Sequence, residues 1–211
     1  MNLTEQLKEK KEQSAANIPK DKLDVMLNST QQLINQHLSN NALNVGDTIA
    51  NFELPNINNE KESLNSYLDK GAVVISFYRG GWCPYCNLEL KALQAVLPEI
   101  KEKGASLLAI SPETPDNSLS TSEKNKLEFS VLSDIDNKVA KNMGLVFKMP
   151  EALKDVYSAF NLDVAKHNGN KDYELPMAAT YVVNTKGTIT YAFVSEDYTE
   201  RANPQDILQV L

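Results

Sequence analysis

The chain has 211 residues, of which 42% are hydrophobic and 23% are charged, and its formal net charge is -7. This length fits one domain, or one domain with an extension, and the composition is typical of a globular protein with a substantial core. The acidic balance argues against sequence-independent binding to nucleic acid and against docking on an anionic membrane. Both kinds of binding need clustered Lys and Arg side chains.

The first residues are polar and then charged, and they contain no apolar segment of the kind found in secretory signals. No later stretch reaches the length and apolarity of a membrane span. We therefore expect a cytoplasmic protein without membrane contact. Because that compartment is reducing, the two cysteines, three positions apart, indicate redox catalysis or a metal site rather than a static disulfide.

The first forty or so residues have the pattern of helices, and Pro19 interrupts that pattern. After it, apolar side chains from Leu23 to Leu38 recur at helical spacing. The apolar face of this helix is expected to pack either against the chain's own domain or against a second copy in a homodimer, and both alternatives stay open. We assign residues 1–44 to an N-terminal helical extension and residues 45–211 to the main domain.

Beyond residue 45, predicted strands alternate with predicted helices. The predicted strands cover residues 72–78, 106–110, 128–132, 178–183 and 188–194, with an extended segment at 50–55. The predicted helices cover residues 64–68, 136–143 and 149–160, with one from Pro84 to a cap at Gly104, one ending near Lys126 and one beginning near Asn203. This alternation predicts an α/β fold with a mostly parallel central sheet flanked by helices, and a closing antiparallel hairpin.

Cys83 and Cys86 lie where a buried strand is followed by a helix. Pro84 suits the first helical position, because its missing N–H costs nothing there. Cys83 is thus predicted to be the N-cap residue, and Cys86 lies in the first turn, near unpaired N–H groups and the positive end of the helix dipole. This position lowers a thiol pKa below its free value of about 8.5 and favours the nucleophilic thiolate. The second thiol can close a reversible disulfide, as a peroxide-reducing or disulfide-exchanging site requires.

Two other interpretations of the pair stay open. The cysteines could form half of a zinc site, although the chain has no second cysteine pair and His37 and His167 are isolated in the sequence. They could also be inert core residues. We predict no bound metal and no cofactor, and we assign no role to either histidine.

Several neighbours of the pair are candidates for shaping the site. Arg79 and Arg201 are the only arginines in the chain, and Arg79 would place a fixed positive charge near a thiolate or a peroxide oxygen. The alternative is an exposed arginine, or one paired with the domain's own carboxylates. Trp82, the only tryptophan, is expected to shield one side of the cysteines. Glu89 is expected to be a solvated helical side chain rather than a base.

Residues 77–90, which contain the Cys-Pro-Tyr-Cys motif, resemble the active-site stretch of peroxiredoxin-like proteins of the alkyl hydroperoxide reductase/thiol-specific antioxidant superfamily. The resemblance extends from about Val45, through residues 106–111, to the hairpin at residues 179–187. It implies a thioredoxin fold and an antioxidant peroxidase. It also implies a hydroperoxide substrate and a thioredoxin-type dithiol as electron donor.

The resemblance also implies roles for individual residues. The family motif has a threonine three residues before the peroxidatic cysteine, which puts Cys83 at the threonine position and makes Cys86 peroxidatic. The position of Cys83 at the helix cap favours Cys83 as the first nucleophile instead, so the order in which the two cysteines react stays open. We expect Cys86 to attack peroxide and Cys83 to be the exposed exchange partner. The family's catalytic arginine would fall at Ala178, so we expect Arg79 to replace it.

We therefore expect a sulfenic acid–disulfide cycle between Cys83 and Cys86. The alternatives are a thioredoxin-like oxidoreductase acting on protein disulfides and a non-enzymatic interaction module. The predicted catalytic residues are Cys86, Cys83 and Arg79, and the predicted site-shaping residues are Trp82, Pro84, Tyr85, Gly81 and Glu89.

Overall fold

A computed structural model describes residues 2–211. Its α-helices are α1 (Leu3–Asn17), α2 (Lys20–Asn35), α3 (Leu64–Leu68), α4 (Pro84–Glu102), α5 (Pro115–Asn125), α6 (Lys138–Asn142), α7 (Glu151–Ala159), α8 (Val164–Asn168) and α9 (Pro204–Val210). Its strands are β1 (Glu53–Pro55), β2 (Lys61–Ser63), β3 (Val73–Phe77), β4 (Ser106–Ser111), β5 (Ser130–Ser133), β6 (Val146–Lys148), β7 (Glu174–Pro176), β8 (Ala178–Val183) and β9 (Ile189–Ser195). Within residues 2–211, no helix combines the length and apolarity needed to cross a lipid bilayer.

The central sheet has five strands in the order β5-β4-β3-β8-β9. β3 pairs with β4 in parallel, as β4 does with β5, whereas β8 is antiparallel to both β3 and β9. Four of the five strands therefore point the same way, and β8 points the opposite way. The predicted α/β fold with a closing antiparallel hairpin is confirmed.

The structure differs from the sequence prediction in its shortest elements. The hairpin β1–β2 and the antiparallel pair β6–β7, whose strands are separated by α7 and α8, were not predicted, because strands of three residues are too short to show alternation. The predicted helix at 136–143 is a 3₁₀ turn (Ile135–Asn137) followed by α6, because Asp136 and Asn137 have positive φ angles. A left-handed His37 likewise separates α2 from a 3₁₀ turn at Leu38–Asn41.

The strand that leads to the cysteines lies at the centre of the sheet. All five residues of β3 are buried, and the strand is hydrogen-bonded on both sides. The ladder continues one residue further, where the Tyr78 amide donates to the carbonyl of Ile110 at 2.9 Å. The loop that follows therefore begins from a fully paired strand.

The N-terminal helices pack against the same chain, so the first of the two alternatives for this segment describes the structure. α1 lies against α4, and α2 lies against α7. Leu3 and Leu7 are buried in the apolar cluster that contains Cys83 and Cys86. The start of α1 is also fixed by a capping box between Asn2 and Glu5.

We predict that Leu7→Ala lowers the free energy of unfolding by about 2–4 kcal/mol, because it leaves a cavity under α1. Leu27→Ala on α2 is the matched control, since that side chain is 51% exposed. Its effect is expected to stay within about 0.5 kcal/mol. Urea denaturation of both variants measures the two values, and similar losses would contradict the packing of α1.

Candidate active site

Cys83 and Cys86 occupy the positions predicted for them at the start of α4. Cys83 is the N-cap residue, Pro84 is the first helical residue and Cys86 lies in the first turn. Both thiols are free and both residues are buried, with exposed fractions of 1% and 0%. The expectation that Cys83 is exposed is therefore wrong, because α1 packs against α4 and joins the apolar cluster around the cysteines.

A buried arginine from the C-terminal region contacts Cys86. The Nη2 group of Arg201 donates to Cys86 Sγ at 3.2 Å, and Nε lies 2.7 Å from Oε2 of Glu89. Its Nη1 group donates to the carbonyl oxygens of Tyr198 and Glu200. The guanidinium is thus held by a carboxylate and two carbonyls, and its remaining group, Nη2, faces the sulfur.

Glu89 is buried, so the expectation of a solvated side chain is wrong. The reason is that α4 turns this residue toward the sheet, where Thr180 Oγ1 donates to Oε1 at 3.1 Å. Burial raises the pKa of Glu89 to about 7, and the charge of Arg201 opposes that rise. Glu89 affects Cys86 indirectly, because its carboxylate holds the Arg201 guanidinium against the Cys86 sulfur.

Arg79 is 2% exposed and lies among aromatic rings. Its Cζ atom is 4.6 Å from the ring centroid of Tyr198, 5.0 Å from that of Trp82 and 5.8 Å from that of Tyr157. Its Nη2 group donates to the Tyr157 hydroxyl. None of the ion pairs formed within residues 2–211 includes Arg79. Burial lowers the pKa of Arg79, but the neighbouring Tyr157 and Cys83 groups outweigh that effect and raise it.

The two thiols titrate as a pair. Burial by itself raises the pKa of Cys83, but the hydrogen bond with Cys86 and the charges of Arg79 and Arg201 outweigh it and lower the pKa to about 6. Burial raises the pKa of Cys86 well above its ordinary value, and the hydrogen bond and charge of Cys83 raise it further. At neutral pH the pair therefore holds one proton, with a thiolate on Cys83 and a thiol on Cys86.

The loop before Cys83 is held by a buried carboxylate. Oε2 of Glu113 accepts hydrogen bonds from the Gly81 amide at 2.9 Å and from Thr121 Oγ1 at 3.3 Å. A Cβ atom on Gly81 would lie 1.9 Å from Thr121 Oγ1, so the loop needs glycine there. The other oxygen, Oε1, lies 3.0 Å from Nδ1 of His167. His167, to which the sequence assigned no role, is therefore part of the loop's support.

An apolar cavity of about 580 Å³ lies between the N-terminal helices and the start of α4. Cys83 and Arg79 line this cavity, whereas Cys86 does not. The predicted site-shaping residues Trp82, Pro84 and Tyr85 also line it. Among residues 2–211, no group of three or more His, Cys, Asp and Glu side chains is arranged to hold a metal ion.

Residues 45–192 match the model of the AhpC/TSA family. The chain belongs to this family. Peroxiredoxin Bcp of Escherichia coli strain K12 is 30% identical over 105 residues, which cover 50% of this chain and 67% of that protein. A Haemophilus influenzae protein described as a putative peroxiredoxin bcp is 33% identical over the same shares of each chain. Family membership and these relatives identify the chain as a thiol-dependent peroxidase, an oxidoreductase.

Solved structures confirm the fold. The crystal structure of peroxidoxin BcpB from Mycobacterium tuberculosis superposes with a TM-score of 0.65 at 23% identity and covers 80% of this chain and 96% of that one. The bacterioferritin comigratory protein of Xanthomonas campestris, whose description reports alkyl peroxide reduction, superposes with a TM-score of 0.59 at 18% identity. It covers 80% of this chain and 95% of that one.

Arg201 is the site residue that sequence reasoning missed. It lies beyond the family match, and 115 positions separate it from Cys86. The only signal in the sequence was the scarcity of arginine, since the chain has two, Arg79 and Arg201. In the structure both are buried beside the cysteines. The predicted site residues all lie on the loop between β3 and α4 and on the first turns of α4.

We predict that the thiolate of Cys83 forms as the pH rises through about 6. Arg79→Gln removes a cation that favours the thiolate, so the transition moves to higher pH. Lys11→Gln removes a cation that also lines the cavity but is half exposed, and it leaves the transition in place. Titration of thiolate absorbance compares the three proteins. A transition that stays near pH 6 in Arg79→Gln would remove Arg79 from the account.

Proposed function

We propose that this peroxidase works through a sulfenic acid–disulfide cycle in which Cys83 attacks the peroxide first. The observation that carries the proposal is that the thiol with the lowered pKa is also the one that lines the cavity. Cys86 keeps its proton and is hydrogen-bonded to Arg201 behind it. This order is the reverse of the one expected from the family motif.

In the first step, the Cys83 thiolate attacks the terminal oxygen of a hydroperoxide. An S–O bond forms, the O–O bond breaks, and the alkoxide that leaves takes a proton from the Cys86 thiol to become an alcohol. Cys83 is oxidised to a sulfenic acid, and Cys86 becomes a thiolate. In the second step, that thiolate attacks Cys83 Sγ, so that a disulfide forms and hydroxide leaves as water after protonation.

The two arginines support different steps of this cycle. Arg79 lies in the same cavity wall as Cys83, where its charge stabilises the oxygen that becomes negative as the O–O bond breaks. Arg201 donates to Cys86 Sγ and therefore stabilises the thiolate that forms there after the first step. Glu89 is a positioning residue for Arg201.

We assign re-reduction of the disulfide to a thioredoxin-type dithiol. Its sulfur approaches Cys83 through the cavity, because Cys83 is the sulfur that lines it. Thiol–disulfide exchange then leaves the Cys86 thiolate, which Arg201 stabilises, as the departing group. A reducing compartment such as the cytoplasm suits this step. The homodimer stays a prediction, which the mass of the protein in solution tests.

Trapping of sulfenic acid in single cysteine variants tests the order of attack. In Cys86→Ser, the serine hydroxyl can still donate to the Cys83 thiolate, so we expect peroxide to generate a sulfenic acid that dimedone labels on Cys83. In Cys83→Ser, the Cys86 thiol keeps its proton, and we expect at least about tenfold less label. Peptide mass spectrometry locates the label, and reduced samples without peroxide are the control. Label on Cys86 alone would restore the order of the family motif.

A further inference from the structure

We propose that Glu113 and His167 are positioning residues for Cys83: Glu113 fixes the loop before it, and the charge of His167 cancels the charge of Glu113. Without that cation, the carboxylate would oppose the negative charge of the Cys83 thiolate. The inference rests on the proposed function, because it concerns the thiolate that attacks the peroxide. It goes further in giving a role to His167, which lies outside the cavity.

Glu113 is a buried carboxylate, and His167 is its basic partner. Its exposed fraction is 1%, and Oε2 accepts hydrogen bonds from two neutral groups, the Gly81 amide and the Thr121 hydroxyl. Of the ion pairs formed within residues 2–211, only the one with Nδ1 of His167 includes Glu113. A buried carboxylate is costly unless a cation pairs with it. A protonated His167 supplies that cation.

The backbone holds His167 in place beside Glu113. Its carbonyl oxygen accepts hydrogen bonds from the Thr114 amide and from Nδ2 of Asn117, both at 3.0 Å. The side chain is 32% exposed, so the ring can exchange a proton with water. Histidine is the residue type whose charge changes near neutral pH. The pair can therefore gain or lose its cation while the backbone around it stays fixed.

The other groups around the pair are neutral or are bonded elsewhere. Tyr78, directly after β3, faces Glu113 with a buried phenol whose pKa is raised, first by burial and next by the charge of Glu113. From α5, Thr121 and Asn117 contact the pair with neutral side chains. On α8, Asp163 accepts a hydrogen bond from an amide of its own helix at 3.0 Å. Compensation of the Glu113 charge therefore falls to the histidine.

The loop connects Glu113 closely to Cys83. Gly81 lies two residues before Cys83, and its amide donates to Glu113 while its carbonyl accepts from Nδ2 of Asn87 at 2.7 Å. The same Nδ2 group donates to the Cys83 carbonyl at 3.0 Å. A Cβ atom on Gly80 would lie 3.0 Å from Oε1 of Glu113, so the loop runs directly against the carboxylate. At this range in a buried site, the charge of Glu113 acts on the Cys83 sulfur.

Removal of the histidine charge, and then of the carboxylate, tests the pair. In His167→Gln a neutral amide replaces the ring, and we expect the pH at which half of the Cys83 thiolate has formed to rise by about half a unit or more. In Glu113→Gln/His167→Gln the carboxylate is gone as well, and we expect this midpoint to return to within about 0.2 units of the wild type. The glutamine oxygen still accepts from the Gly81 amide, so the loop keeps its support. Titration of thiolate absorbance measures the midpoints, and His37→Gln, which changes the other, exposed histidine, is the control.

The pH dependence of the peroxide rate separates a charge effect from a damaged loop. Near pH 6 about half of Cys83 is thiolate in the wild type, so a raised midpoint in His167→Gln is expected to lower the rate constant for hydrogen peroxide about twofold. Near about pH 8 the thiolate is fully formed in both proteins, and the two rate constants are expected to agree. If His167→Gln does not fold, His167→Asn makes the same loss of charge with a shorter side chain.

The outcomes separate this inference from the proposed function. A wild-type protein that does not reduce hydrogen peroxide contradicts the proposed function itself. An active wild type in which His167→Gln leaves the midpoint unchanged overturns the inference alone. A raised midpoint that the double variant retains also overturns it, because the defect would then lie in the loop rather than in the charge. A rate lost equally at both pH values overturns it for the same reason.

Discussion

Two guanidinium groups and the carboxylate of Glu89 lie buried beside Cys83 and Cys86, while the buried carboxylate of Glu113 lies under the preceding loop and contacts His167. Glu89 pairs with Arg201, but Arg79 has only aromatic rings and a phenol hydroxyl around it. An uncompensated buried cation is costly, and a neighbouring thiolate relieves that cost. The excess of positive charge therefore favours one negative sulfur in the pair. The hydrogen bond with Cys86 and the charges of both arginines lower the pKa of Cys83, whereas burial and the neighbouring Cys83 keep the proton on Cys86.

The sequence predicted those parts of the molecule that strong local patterns encode. The β-branched run of β3 and the apolar period of α4 are long, and Pro84 marks the start of the helix. The contacts of Glu89 and Arg201 could not be predicted in the same way. Glu89 lies on a helix as a polar residue, and its partners come from β8 and from the region just before α9. The spacing of apolar residues within one segment does not indicate a contact between side chains that are so far apart in the chain.

The N-terminal helices determine how the cysteine site is covered and how it is reached. α1 packs against α4 and joins the apolar cluster in which both cysteines are buried. The same helix and α2 leave an apolar cavity that reaches Cys83 but not Cys86. The two N-terminal helices therefore set both the burial of the cysteines and access to them, and the sulfur with the lower pKa is the one that lines the cavity.

The central claim is that the buried arginines stabilise a reactive thiolate on Cys83 beside the Cys86 thiol, and that one peroxide molecule converts this pair to a disulfide. Reduced protein mixed with one equivalent of hydrogen peroxide in a stopped-flow instrument, followed by mass spectrometry of the whole product, tests it directly. The account predicts a single fast loss of both thiols, with a product that has lost two hydrogens and carries a Cys83–Cys86 disulfide. Thiols oxidised no faster than free cysteine at the same pH, or a product without that disulfide, would contradict it.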